Sequence, residues 1–354
     1  MSTSVKRILT GDRPTGRLHL GHYVGSIENR LKLQHEGDLF YMIADVQAFT
    51  DNADNPKKVS EHVLEVAMDN IACGLDPEKA TMFIQSQIPE IAELTIFFLN
   101  LVSVARLTQN PTVRAEMREK GFGLDQSGGE KAAPSELVER ANVPAGFLVY
   151  PVSQAADILF CKANVVPVGA DQKPMIEQTN EIGEKFNRFY GQVFPKVEHI
   201  VPKDALRSRL PGLDGNAKMS KSLGNCIYLS DDSKTVREKV MSAYTDPLHV
   251  HKEDPGHLDG NVVFMYLDIF DTDQVGLAEL KDRYTKGGVG DVEVKERLIR
   301  VLEAMLTPIR ERRAKLEADP KAVLDILEKG TQRARDVAQD TMKEVRKTMM
   351  ISYF

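Results

Sequence analysis

Along the first half of the chain, apolar residues fall into short runs separated by stretches in which they recur every three or four positions. The short runs, at residues 7–10, 39–44 and 81–85 with another near 164–168, have the length and composition of strands. Between them, residues 20–34 place Leu20, Val24, Ile27 and Leu31 on one helical face, and residues 57–72 form a second helix. Strands alternating with helices in this way predict a parallel, doubly wound α/β sheet. Residues 91–106 read as a single helix apolar on more than one side, with Phe97, Phe98, Leu99, Leu101 and Val102 adjacent. Such a helix suits either a buried core or a subunit interface.

Beyond residue 224 the strand-like pattern stops, and helical periodicity covers 236–244, 261–269, 275–283, 292–315 and 320–349. The expected organisation is an α/β domain over 1–224, an all-helical domain over 225–329, and a terminal helix, 330–354, packed back on the first domain. Residues 121–144, rich in Gly, Ser, Glu and Lys, read as a polar inserted loop.

Composition narrows the class. With 354 residues, 42% of them hydrophobic and 28% charged, the chain has the balance of a globular protein of two domains. No run has the length of a membrane span or export signal, and three cysteines without CxxC spacing indicate neither a disulfide framework nor a zinc site, so a reducing cytoplasm is expected. The net charge of −6 is unevenly spread: residues 281–347 hold 17 basic and 13 acidic side chains, a surplus of four that leaves −10 elsewhere. A basic helical tail on an acidic body is compatible with RNA.

Two motifs carry the chemistry. Gly11-Asp12-Arg13-Pro14-Thr15-Gly16-Arg17-Leu18-His19-Leu20-Gly21-His22 sits where the first strand turns into a helix, the place where an α/β sheet presents backbone N–H groups to phosphates. About two hundred residues later comes Lys218-Met219-Ser220-Lys221-Ser222, a short loop with two cations. Neither a GxGxxG fingerprint nor a GxxxxGK[ST] loop is present, so a nucleotide would be held differently. Tyr150, Gln154 and Asp157 are spaced to share one helical face.

These motifs, with the segments Tyr150 to Leu159, Val166 to Gln172, Tyr244-Thr245-Asp246 and Gly287 to Asp291, resemble the class I aminoacyl-tRNA synthetases over nearly the whole chain, most nearly their tryptophanyl branch of bacterial type. The resemblance implies a Rossmann-type catalytic domain, a helical domain that meets the anticodon, and a cytoplasmic homodimer. It implies that L-tryptophan and Mg-ATP give tryptophanyl-adenylate and pyrophosphate, and that the acyl group then passes to the terminal ribose of tRNA(Trp). The implied catalytic set is His19, His22, Lys218, Ser220 and Lys221. ATP would meet Arg13, Pro14, Thr15, Gly21, His22, Gly169, Ala170, Asp171 and Leu210 as well as Lys218, Met219, Ser220, Lys221 and Ser222, with Mg2+ held through the phosphates and no protein metal site. Tryptophan would meet Asp157, as acceptor of the indole N–H, with Tyr150, Gln154, Gln172, Val166, Val168, Gly11 and Gln47. Lys281, Arg283, Lys286 and Lys295 are the implied tRNA contacts.

The chain departs from that pattern at two places. Many members have methionine where this chain has Gln154, and a Gln–Asp pair on one helix face also resembles the phenol-binding pair of tyrosyl-tRNA synthetases. Arg114, Arg118 and Lys120 stand where some relatives have a pyrophosphate-gripping lysine, and no role is assigned to them. The alternatives are the tyrosyl enzyme, a synthetase-like binding or regulatory protein, and a nucleotidyltransferase of the same superfamily.

Overall fold

The computed structural model describes residues 6–119, 143–200, 210–215, 218–221 and 223–354. Lys120, Ser222 and nearly all of the polar loop expected at 121–144 lie outside the described residues. The sheet has five parallel strands: β1 (Arg7–Asp12), β2 (Asp38–Ile43), β3 (Ala80–Ile84), β4 (Val165–Pro167) and β5 (Glu198–Ile200), ordered β3-β2-β1-β4-β5. Strand order reverses direction between β1 and β4, which opens a crevice at their carboxyl ends where α/β sheets bind ligands. β5 escaped the sequence reading because Glu198-His199-Ile200 carries no apolar run.

Period-two alternation divides the strand side chains between two apolar clusters. Ile8, Leu39, Tyr41, Met82 and Val165 belong to one, and Leu9, Phe40, Met42, Phe83 and Val166 to the other. Both faces are therefore covered, as a parallel sheet requires.

The helices of the first half are α1 (Leu20–His22), α2 (Glu28–Leu33), α3 (Asp45–Asn52), α4 (Pro56–Cys73), α5 (Pro89–Leu99), α6 (Val104–Thr108), α7 (Pro111–Glu119), α8 (Ala145–Leu159) and α9 (Lys173–Tyr190). The helix expected at 20–34 is interrupted by a π-helical turn, Tyr23–Ile27, between α1 and α2. The helix expected at 91–106 is two helices: the chain leaves α5 through Asn100, and Ser103 starts α6 by accepting the Arg106 N–H.

The second half is helical, with α10 (Ser233–Met241), α11 (Val262–Phe270), α12 (Gln274–Lys286), α13 (Asp291–Ala318) and α14 (Pro320–Thr348). The first apolar cluster continues without a break from the sheet through α4 into α11 and α13, by way of Leu267, Leu298 and Leu302. Arg313 of α13, buried, pairs with Asp69 and Glu65 of α4 and so fastens the two halves together.

α14 lies along β3, an edge strand. Thr331 Oγ1 accepts the Ile84 N–H at 3.2 Å, and Ala334, Ala338, Met342 and Val345 join the second cluster. The covered edge cannot recruit another strand. Contact is close enough that a Cβ on Gly330 would overlap the Met82 carbonyl oxygen. Gly330→Ala should therefore destabilise the protein by about 1–3 kcal/mol in denaturant unfolding, although alanine is the better helix former. A neutral or stabilising result would mean that α14 is not seated on β3.

Candidate active site

β1 ends in Asp12, whose carboxylate is buried against Arg30 of α2. Arg30 Nη1 donates to Asp12 Oδ2 at 2.8 Å and also to Asn70 of α4, and Tyr41 of β2 donates to the same carboxylate at 3.0 Å. Burial pushes the Asp12 carboxyl up, but the Arg30 charge and hydrogen bonds outweigh it and hold it at about 2. The ion pair thus fixes the end of β1 against the helix that follows the glycine-rich turn.

From that point the chain turns into α1 through a reciprocal cap. The Gly21 N–H donates to His19 Nδ1 at 3.1 Å and the His19 N–H donates to His22 Nδ1 at 3.2 Å. Because Nδ1 accepts in both rings, each neutral imidazole carries its proton on Nε2, the donor left for a ligand. Burial, with the neighbouring His22, Lys221 and Lys218 charges, pushes His19 down to about 2. Burial and the two lysines likewise carry His22 to about 4 against the pull of Asp12. Both rings are neutral at physiological pH. A Cβ on Gly21 would approach the His19 ring to 2.9 Å, so glycine at this position makes room for the imidazole that caps it.

Behind the turn, Asp69 Oδ2 accepts the Leu18 N–H at 2.7 Å, so the Arg313 network of the helical half reaches the residue before His19. Residues 227–229 pair alongside: Leu20 N donates to Ile227 O and Leu229 N to Leu18 O, each at 3.0 Å.

The lysine loop closes over this turn. Met219 N donates to Leu210 O at 2.9 Å, Ser220 N to Asn225 Oδ1 at 2.8 Å, and Lys221 Nζ to Gly16 O at 2.8 Å. Burial pulls Lys221 down to about 8 despite the attraction of Asp12 and Asp69.

Two cavities meet at this place. The first, about 570 Å3, is lined by Gly11, Gln47, Tyr150, Gln154, Asp157, Val166, Val168 and Gln172, the full set expected around an amino acid. The second, about 960 Å3, is lined by Thr15, His19, Gly21, His22, Gly169, Asp171, Leu210, Lys218, Met219, Ser220 and Lys221. Ser26, carried inward on the π-helical turn, lines both.

Among the described residues, two of the expected nucleotide contacts, Arg13 and Pro14, are not on the wall of the second cavity. Arg13 lines the first cavity and is bonded to Asp51 of α3, while Pro14 is buried in the turn. Ser222 lies outside the described residues, and Ala170 sits in the 3-10 turn Ala170–Gln172 beside the second cavity.

Asp157, 1% exposed, closes the inner end of the first cavity. Its partners are amides: Gln85 Nε2 donates to Oδ1 at 2.7 Å and Gln47 Nε2 to Oδ2 at 3.2 Å. Burial pushes the carboxyl up to about 7, with the Gln85 and Gln47 hydrogen bonds opposing it and the nearby Asp45 charge adding to it.

The family profile described as tRNA synthetases class I (W and Y) matches residues 1–307. The chain belongs to this family. It is 54% identical over 352 residues, 98% of each chain, to the tryptophan–tRNA ligases of Streptococcus mutans and Streptococcus agalactiae. Among solved structures, tryptophanyl-tRNA synthetase from Campylobacter jejuni, complexed with ADP and tryptophan, is 29% identical with a TM-score of 0.81, covering 97% of this chain and 99% of its own. The fold also matches the Mycoplasma pneumoniae enzyme, 24% identical, with a TM-score of 0.75 over 98% of each chain.

As an aminoacyl-tRNA synthetase, the chain places further residues at the site that its sequence did not single out. Lys58 and His62, on the first two turns of α4, and Tyr228 line the second cavity. Lys58 donates to Asn52 Oδ1 at 2.9 Å. No local pattern points to them, because packing alone decides which end of α4 faces the crevice. Gln85 was missed for the same reason. In the synthetase's helical half, the four basic residues named as tRNA contacts are all engaged. Lys281 pairs with Asp268, Arg283 with Glu293 at 3.3 Å, and Lys286 with Asp282 at 2.7 Å. Lys295 is the poorest candidate, since its ammonium donates to the Met241 carbonyl at 2.9 Å and caps α10. Arg114 and Arg118 point to solvent from α7.

Proposed function

We propose that this synthetase is a tryptophan–tRNA ligase: it joins L-tryptophan to ATP as tryptophanyl-adenylate, releases pyrophosphate, and transfers the acyl group to the terminal ribose of tRNA(Trp). The observation that carries the reading is the pair of adjoining cavities, one a slot of mixed apolar and polar lining that reaches the deeply buried Asp157 carboxylate, the other walled by imidazole N–H groups and two lysines. Tryptophan offers one side-chain hydrogen bond, its indole N–H, and Asp157 is the acceptor at the end of the slot. Leaving that donor unpaired would cost about 1–3 kcal/mol.

Adenylate formation needs placement and charge neutralisation rather than a covalent protein group. A carboxylate oxygen of tryptophan attacks the α-phosphorus, the bond to the bridging oxygen breaks, and its electron pair leaves with pyrophosphate. The neutral His19 and His22 donate through Nε2–H without competing for the proton of a phosphate. Lys218 and Lys221 carry the positive charge that meets the leaving group as its charge grows. Gly169, Asp171 and Leu210, which also line the second cavity, are assigned to the ribose and the adenine. In the second step a ribose hydroxyl of the tRNA attacks the acyl carbon and AMP departs.

Magnesium enters as part of the substrate, where it neutralises phosphate charge. Among the described residues no group of three or more His, Cys, Asp or Glu converges to hold a metal, and the lysines, imidazoles and Ser220 around the second cavity suit phosphate oxygens.

A homodimer is part of the reading. Ile96 of α5 and Val104 of α6, both more than half exposed, flank half-buried Phe97 and Val102. Sedimentation at micromolar concentration should give twice the chain mass of 39.5 kDa; a monomer would remove this face as an interface. No described helix is long and apolar enough to cross a membrane.

Gln154 favours one second reading, tyrosine as substrate, because its amide lines the slot beside Asp157 and could donate to a phenol oxygen. ATP–pyrophosphate exchange run with each amino acid decides between them: exchange with tryptophan and charging of tRNA(Trp) are expected, and exchange with tyrosine alone would overturn the substrate. The same assay carries a pH prediction. An ionised Asp157 is required, so kcat/KM for tryptophan should fall as pH drops below about 7. Lys221 must be charged, so kcat/KM for ATP should fall above about pH 8, a limb absent from Lys221→Met. Flat profiles between pH 6 and 9 would remove both assignments.

A further inference from the structure

Gln85 does not form part of either cavity wall. It lies at the carboxyl end of β3, 3% exposed, behind Asp157. Its side chain makes two contacts whose directions are fixed by chemistry. The Gln47 backbone N–H donates to Gln85 Oε1 at 3.1 Å, so the oxygen of the amide faces α3. Its nitrogen must then face Asp157, where Nε2 donates to Oδ1 at 2.7 Å. One amide therefore locks the start of α3 to the residue at the end of the slot. The second donor, Gln47 Nε2, reaches Oδ2 at 3.2 Å from the cavity side.

The consequence follows from what a carboxyl group can do in each charge state. Ionised, Asp157 is an acceptor only, and each oxygen has a lone pair to spare beyond the amide it already serves. Protonated, it presents an O–H and would select a ring bearing an acceptor. Burial drives it towards the protonated state, and hydrogen bonds donated to the carboxylate oppose this. The charged or titratable groups around it are Asp45 on α3, whose charge also favours protonation, Tyr150 on its own helix, and Asp12, Arg13, Asp51, Glu116 and Glu119 elsewhere on the first cavity's wall.

We propose that Gln85 is a positioning residue that sets the specificity of the slot: by donating to Asp157 Oδ1 and tying it to α3, it keeps the carboxylate aimed and able to accept a ring N–H. The proposal rests on the reading of tryptophan as substrate and adds to it a residue that the substrate does not touch.

The test is ATP–pyrophosphate exchange at pH 7.5 with two substrates, tryptophan and β-(3-benzothienyl)alanine, which has the same shape with sulfur in place of N–H. Wild type should prefer tryptophan. In Gln85→Met, similar in size but without the donor, that preference should shrink by about tenfold through a higher KM for tryptophan, the scale of one lost polar contact. KM for ATP should stay within about twofold, because Gln85 is remote from the second cavity. Gln85→Glu, of the same size, removes the amide donor and adds an acid beside Asp157; it should show the same loss, and it decides the matter if the methionine variant does not fold. An unchanged preference, or an equal loss for both amino acids, would overturn the role and leave Gln85 as a packing residue. No exchange with tryptophan in wild type would instead refute the substrate reading.

Discussion

The buried pair of Asp12 and Arg30 is the constraint on which the site depends. β1 must end where the crevice begins, and the chain must then turn tightly enough for α1 and α2 to pack back on the sheet. The pair makes that turn rigid: Arg30, fully buried, reaches Asp12 and Thr10 on β1 and Asn70 on α4, and stacks over Tyr41 of β2 with 4.5 Å to the ring centroid. Removing one partner of such a pair leaves the other charged and desolvated, which costs about 3–5 kcal/mol. Gly11, Asp12 and Arg13 at the start of this turn line the first cavity and Thr15 and His19 further along line the second, so under the proposed reading its position sets how far the amino-acid carboxylate is from the α-phosphate.

Around that pivot, charge is divided by burial. The two imidazoles are driven neutral because they sit in a desolvated turn beside two lysines, whereas Lys221, pulled down only to about 8, is cationic at neutral pH and donates to the Gly16 carbonyl. Neutral donors and cations answer different needs. Donors in the turn can orient phosphates in the ground state, while a cation that follows the leaving group stabilises the transition state selectively. Asp69 links this arrangement to the helical half. It accepts the Leu18 N–H with one oxygen and pairs with Arg313 through the other, yet burial still pushes its carboxyl up to about 6. The backbone before His19 is therefore held by a group whose charge depends on a residue of α13.

What the chain disclosed before its fold was known follows from the range of the forces involved. Short continuous apolar runs located β1, β2, β3 and β4, because a parallel strand covered on both faces must be apolar at successive positions. β5 was silent, being short and polar. The break between α5 and α6 was missed because an unbroken apolar stretch outweighed the Asn100 and Ser103 signals within it. At the site, the helical spacing of Tyr150, Gln154 and Asp157 put them on one cavity wall, and the glycine turn and the lysine loop met at the other. That Arg13 lines the first cavity, bonded to Asp51, was not legible, because the partner is 38 positions away in sequence and local spacing cannot see such a pair. Lys58, His62 and Gln85 were invisible for the same reason.

The choice of amides rather than a cation beside Asp157 has a further consequence. An arginine or lysine there would keep the carboxylate ionised far below neutral pH, but it would also satisfy it electrostatically and compete with a weak donor such as an indole N–H. Neutral donors lower the cost of the charge without cancelling it. The carboxylate then retains a strong demand for one more hydrogen bond, directed along the slot, and a ring that cannot supply it leaves that demand unmet in a desolvated site. Under the proposed reading, burial and the two glutamine donors are what leave Asp157 with that demand.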